Sequence, residues 1–139
     1  MVMMAILTLT SSSVLAGCSR YQDSDCPVAE IYERAAVGTD SVTSAEFECG
    51  GSFGSETEGG TITLSVGIHD EASPIVEDIY RTFAADSEIP FGAMPNIEFA
   101  SKDGDLFNIS KILDDLGFSG VPSVSQMREK YGITPTPTP

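Results

Sequence analysis

The groups able to do chemistry in this 139-residue chain are few: three cysteines, Cys18, Cys26 and Cys49, and one histidine, His69, set among 21 acidic residues. A serine hydrolase needs Ser, His and an acid that converge. His69 and Asp70 are neighbours at the end of an expected strand, so their side chains point apart, and there is no G-x-S-x-G. His69 reads as a solvated strand-end residue, and no catalytic residue is assigned. Zinc wants several nitrogen or sulfur ligands, which one His and no thiolate cluster do not supply. Asp103-Gly104-Asp105 offers two carboxylates, but it lacks the length and the distal bidentate Glu of a calcium loop, and it reads as a hairpin turn. The glycine-rich stretch from Gly50 to Gly60 has no Lys with which to hold a phosphate. The acid pairs Asp114-Asp115 and Glu77-Asp78 sit side by side on expected helices, where adjacent residues do not face each other, so both read as solvated faces. Neither a metal nor a cofactor is assigned.

The cysteines carry more information. Residues 1–17 read MVMMAILTLTSSSVLAG and hold no charged side chain. A spanning helix needs about 20 mainly apolar residues. The apolar run Val2–Leu9 is shorter and gives way to hydroxyls, which fits the h-region of a signal peptide. It ends in Leu15-Ala16-Gly17-Cys18. This tetrapeptide resembles the lipobox of bacterial lipoproteins, in which the cysteine thiol receives a diacylglyceryl group and a peptidase cleaves before it. The resemblance implies that Cys18 becomes the lipid-bearing first residue. It also implies that the membrane is a partner through that lipid, and that the protein sits on the extracytoplasmic side of a cell membrane. Two acyl chains give stable attachment where one does not.

With Cys18 set aside for lipid, Cys26 and Cys49 remain, and an oxidising compartment makes a disulfide between them plausible. Cys26 opens an expected helix of about 12 residues, which rises ~18 Å. Cys49 closes an expected strand of about eight residues, which returns ~26 Å, so the two thiols arrive at one level. Closing this 23-residue interval contributes on the order of 3 kcal/mol. Two free thiols or a redox pair are the alternatives, and the lack of a C-x-x-C weighs against the redox pair.

The remaining elements follow from pattern. Residues 18–25 are a polar tether of at most ~28 Å, residues 26–132 form one domain, and 133–139 are a Thr-Pro tail of extended character. Pro27 begins a helix with Val28, Ile31, Tyr32 and Ala35 on its apolar stripe and Glu30–Arg34 as a surface pair. Ser41–Cys49 and Thr61–Ile68 alternate as two strands around a mobile glycine-rich loop. Ser73-Pro74 starts a helix whose stripe is Val76, Ile79, Tyr80, Phe83 and Ala84, with Glu77–Arg81 as a surface pair. Asn96–Ser101 and Asp105–Ile109 read as a hairpin about Asp103-Gly104. Lys111–Leu116 reads as a short helix ended by Gly117. Ser123 and Gln126 form a capping box for a last helix through Tyr131, stopped by Gly132.

The expectation is thus an α+β domain in the order α-β-β-α-β-β-α, preceded by a signal peptide, with about four antiparallel strands and the helices on one face. In element order it resembles the small ferredoxin-like and BON-type domains. The charge of −14 repels a phosphate backbone, so no nucleic acid is expected, while a basic protein partner would be attracted. The functional expectation is a membrane-anchored envelope lipoprotein acting as a non-enzymatic binding or scaffolding module. The alternatives are an accessory subunit of a membrane complex and, behind that, a hydrolytic enzyme.

Overall fold

The computed structural model describes residues 26–50 and 56–136. The expected signal peptide, Cys18, the tether and the end of the Thr-Pro tail lie outside the described residues. Helix α1 (Pro27–Val37) leads into the hairpin β1 (Val42–Gly50) and β2 (Glu56–Leu64). Helix α2 (His69–Ala85) then crosses to β3 (Asn96–Ala100), and α3 (Ile109–Leu116) and α4 (Val124–Tyr131) follow.

The α+β class holds, but the sheet corrects the expectation. Among the described residues it has three strands in the order β1-β2-β3, with β1 and β2 antiparallel and β2 and β3 parallel. The reason is α2. A helix of 17 residues rises ~25 Å, so it carries the chain back along the whole of β2 and starts β3 in the same direction.

The second arm of the expected 105–109 hairpin is not a strand. The turn itself forms, with Gly104 at φ 91°, and the chain returns far enough for Phe107 N to reach Phe99 O at 2.8 Å and for Leu106 to bridge Ala100. There Asn108 takes over: its side chain accepts from Lys111 N at 3.2 Å and starts α3. The element order is therefore α-β-β-α-β-α-α.

Strand β2 also begins five residues earlier than expected, at Glu56, so Gly59 and Gly60 belong to the sheet. Gly60 pairs with Phe47, and a Cβ there would lie 2.6 Å from Phe47 Cδ1. The aromatic ring occupies the space a side chain would need, which makes glycine the residue that fits. The strand ends at Leu64 rather than Ile68, and Ile68 is left 58% exposed.

The register sorts the side chains into two faces. Ala45, Ile62 and Phe99 align in one row, and Phe47, Gly60 and Ile97 in another; Ile62, Phe99, Phe47 and Ile97 of these rows are buried. On them lie α1 and α2. Tyr32 stacks on Phe47 at 5.5 Å and meets Phe83 edge-on at 5.0 Å, while Tyr80 meets Phe99 at 6.3 Å. Helices α3 and α4 pack on α2, joined by Tyr80–Phe118 and Phe118–Tyr131 contacts at 6.1 and 6.2 Å. The other face alternates with this one and presents Glu46, Glu48, Asn96 and Glu98 as exposed residues.

Within the helices the sequence pattern holds in part. The stripe expected on α2 is fully buried, and Arg81 Nη2 donates to Glu77 Oε1 at 3.2 Å. But α2 starts at His69, not Ser73, with Glu71 N and Ala72 N both donating to Ile68 O. Pro74 lies inside the helix. On α1 the buried face is Ala29, Tyr32, Ala35 and Ala36, while Val28 and Ile31 are only half-buried. Arg34 ignores Glu30 and pairs instead with Glu88 and, at 3.7 Å, with Asp86. The capping box of α4 forms as read, with Ser123 Oγ accepting from Gln126 N at 3.1 Å and Gln126 Oε1 from Ser123 N at 2.8 Å.

Candidate functional site

Of the cysteines singled out, Cys18 lies outside the described residues. Cys26 is 1% exposed and disulfide-bonded. The side chain of Cys49 is outside the described set, although its backbone pairs with Thr57 near the end of β1. The local geometry shows which way the two elements run. Helix α1 ends at Val37 and β1 begins at Val42, so a short turn sends them in opposite directions. They are then pinned by the Tyr32–Phe47 stack and by Phe47 N donating to Glu33 Oε1 at 2.8 Å.

His69 departs from its reading as a solvated residue. Its Nε2 lies 2.6 Å from Asp115 Oδ2, its side chain is 19% exposed, and it joins the start of α2 to α3. An ionised carboxylate can only accept, so Nε2 carries the proton. Ser73 Oγ, in a 9% exposed residue, donates to the same carboxylate oxygen at 3.3 Å. The His69 hydrogen bond, foremost, holds the Asp115 carboxyl below its usual value; burial, the next cause, opposes it, and the His69 charge, the Ser73 hydroxyl and Lys111 add to the lowering.

This is a Ser, His and Asp cluster, but its connectivity differs from that of a hydrolase. In a catalytic triad the imidazole stands between the two others, taking the proton of the serine. Here the carboxylate stands in the middle, and both neighbours donate to it. Ser73 has no imidazole nitrogen accepting its proton, so its hydroxyl is not activated. The arrangement pins the first turn of α2, which precedes Pro74, onto α3. Sequence reading missed Asp115 because it sits 46 residues from His69 and beside Asp114 on a short helix, where it looks like any solvated acid.

Asp103 and Asp105 resolve as turn residues. The buried Ser101 hydroxyl accepts from both of their backbone N–H groups at 3.2 Å. Among the described residues no three His, Cys, Asp or Glu side chains converge as metal ligands, and no described helix is long and apolar enough to cross a membrane. A second feature missed in the sequence is Arg128 on α4. Its Nε donates to Ala84 O at 2.9 Å, and its Nη2 to Asp86 O at 3.0 Å and Ile89 O at 3.2 Å, so one guanidinium closes the C-terminal end of α2.

A groove of about 520 Å³ lies at the sheet, lined by Glu33 of α1 and by Glu46, Phe47, Glu48, Gly60 and Glu98 of the strands. Comparison of the chain with known protein families, with curated proteins and with solved structures finds no match.

Proposed function

We propose that the protein is a lipid-anchored module of the cell envelope, held on the extracytoplasmic side of a membrane through Cys18, whose domain binds or scaffolds rather than catalyses. The observation that carries this reading is the pairing of Leu15-Ala16-Gly17-Cys18 with a disulfide-bonded Cys26 at the first turn of the fold. A disulfide persists where the surroundings oxidise thiols, which is where a lipobox sends its protein. Cys49 is proposed as the partner of Cys26. From the Tyr32–Phe47 stack, Cys26 lies six residues back along α1, ~9 Å, and Cys49 two residues on along β1, ~7 Å. Because α1 and β1 run in opposite directions, both steps lead to the same end of the sheet.

The non-catalytic part of the reading is supported by the use to which His69 and Ser73 are put. Both are spent on one carboxylate that holds two helices together. The test is partition: the protein expressed in a bacterial host should enter the detergent phase with the membranes, and Cys18→Ser should leave it in the aqueous phase. Equal aqueous partition of both forms would remove the anchor.

A second reading, an accessory subunit docked on a basic partner, is favoured by the four glutamates that line the groove at the sheet. A stoichiometric partner co-purified from solubilised membranes would support it.

A further inference from the structure

We infer that the loop from Pro90 to Ala93 is a lipid-contact surface: Phe91 seats in the interfacial layer of the bilayer that holds the anchor and sets how the domain stands on it. This rests on the lipid-anchor reading above and deepens it.

Phe91 is 73% exposed, more than any other large apolar side chain among the described residues. Pro90, Gly92 and Ala93 beside it are exposed as well, and the stretch from Ile89 to Ile97 holds no charged side chain. The loop is held in place. Phe91 O accepts from Ser125 N at 3.0 Å and from Ser125 Oγ at 2.8 Å, Gly92 O accepts from Val124 N at 3.1 Å, and Ala93 bridges Ser123. Buried Ile89 and Pro95 fasten its two ends. The segment it pairs with, from Gly117 to Met127, carries no charged side chain either and leaves Val121 55% exposed. Water therefore meets a fixed apolar surface, and such a surface marks a place of contact.

The position of the loop selects lipid as the occupant. Strand β3 enters the sheet at Asn96, in the row of Glu48 and Gly59 beside Cys49. Because α1 runs against β1, Cys26 stands at that same end of the sheet. The loop leads directly into β3, so it lies at the end from which the chain departs toward Cys18. Residues 18–25 reach at most ~28 Å, which is about the width of such a domain. A lipid on Cys18 thus keeps the bilayer close to this end.

One exposed phenylalanine favours apolar surroundings by only about ten- to hundredfold. That is too little to hold a free protein on a membrane. A tether makes the contact an intramolecular step at a millimolar effective concentration, where a small preference suffices. The charge of −14 is repelled by an anionic surface. The contact is therefore with uncharged lipid.

The chain has no tryptophan, so a single introduced indole reports alone. Phe91→Trp and, for comparison, Val37→Trp are purified with their lipid from membranes and reconstituted in phosphatidylcholine vesicles. Val37 is 52% exposed and ends α1, away from Cys26. Bromine placed high on the acyl chains quenches an indole seated at the headgroup boundary. Phe91→Trp should lose about half of its emission or more and shift to the blue, and Val37→Trp about a tenth or less. Anionic phosphatidylglycerol at low salt should reduce the quenching, and added salt should restore it. Equal quenching of the two variants, or none in either, would overturn the proposal. So would a blue shift of Phe91→Trp that needs no vesicles and grows with protein concentration, which would make a second copy the occupant, or one that follows a co-purified protein. Helical circular dichroism of both variants reports that the fold is kept. Intact mass of the same samples separates the two readings: no lipid on Cys18 would bring down the anchor and this contact together, whereas lipid present without quenching of Phe91→Trp would bring down the contact alone.

Discussion

His69 Nε2 and Asp115 Oδ2 stand 2.6 Å apart, tying the first turn of α2 to α3. That turn precedes Pro74, which has no N–H to give the helix its next bond. The Asp115 carboxylate, with Ser73 as its second donor, supplies a substitute tie from outside the helix.

The tie makes the acid limb of stability predictable. The folded Asp115 carboxyl titrates below its ordinary value of 3.8. A depressed folded value contributes stability that is present above the unfolded value and lost as pH falls through the folded one. The difference in urea midpoint between the parent and Asp115→Asn should therefore be constant above about pH 5 and shrink below about pH 4. A difference that stays flat down to pH 2 would show that Asp115 carries no linked charge.

The alkaline limb has the opposite sign. Burial pushes the Tyr32 phenol up to about 12, with Arg128 opposing it slightly. Tyr80 is pushed higher still, by burial first and by Tyr131 second. A raised folded value gives stability that is full below the unfolded value, about 10, and that fades as pH rises through the folded one. Phenolate absorbance from Tyr32 should appear together with loss of helical signal between about pH 10 and 12. Smooth ionisation near pH 10 with the fold intact would contradict the burial of its ring.

Gly60 should not tolerate a side chain. Its Cβ would meet both Glu46 O and the Phe47 ring at 2.6 Å, so Gly60→Ala should cost about 1–3 kcal/mol by displacing the ring that stacks on Tyr32. Gly92→Ala has nothing within 4 Å of its added carbon and should be neutral or stabilising by up to about 1 kcal/mol. Urea denaturation of the two variants checks the contrast.

Removing the Arg128 guanidinium should leave the carbonyls of Ala84, Asp86 and Ile89 without their shared donor. Arg128→Met should cost about 2–3 kcal/mol. Arg128→Lys should recover only part of that, since an ammonium cannot spread its donors as the planar fork does. Full recovery by lysine would mean that charge, not geometry, matters at this site.

How far the sequence could be read depended on distance along the chain. The Ser123–Gln126 capping box, the Gly117 and Gly132 stops and the α2 stripe are local, and each appears where its pattern placed it. Gly59 and Gly60 look like loop residues until the ring of Phe47, thirteen residues upstream of Gly60, is seen over the strand. The direction of β3 was set by the length of α2 and by where the chain re-enters the sheet, neither of which alternation encodes. Asp115 and Arg128 act on residues some forty positions away, on His69 and on the end of α2, so no local spacing announces them.

The anchor is tested most directly by the intact mass of the protein purified from the membranes of its host, with Cys18→Ser alongside and a non-reducing peptide map of the same sample. The account predicts a chain that begins at Cys18 and carries a diacylglyceryl group, absent from the variant, together with a Cys26–Cys49 linked peptide that separates on reduction. An unmodified thiol at Cys18 in a chain that retains residues 1–17 would contradict it.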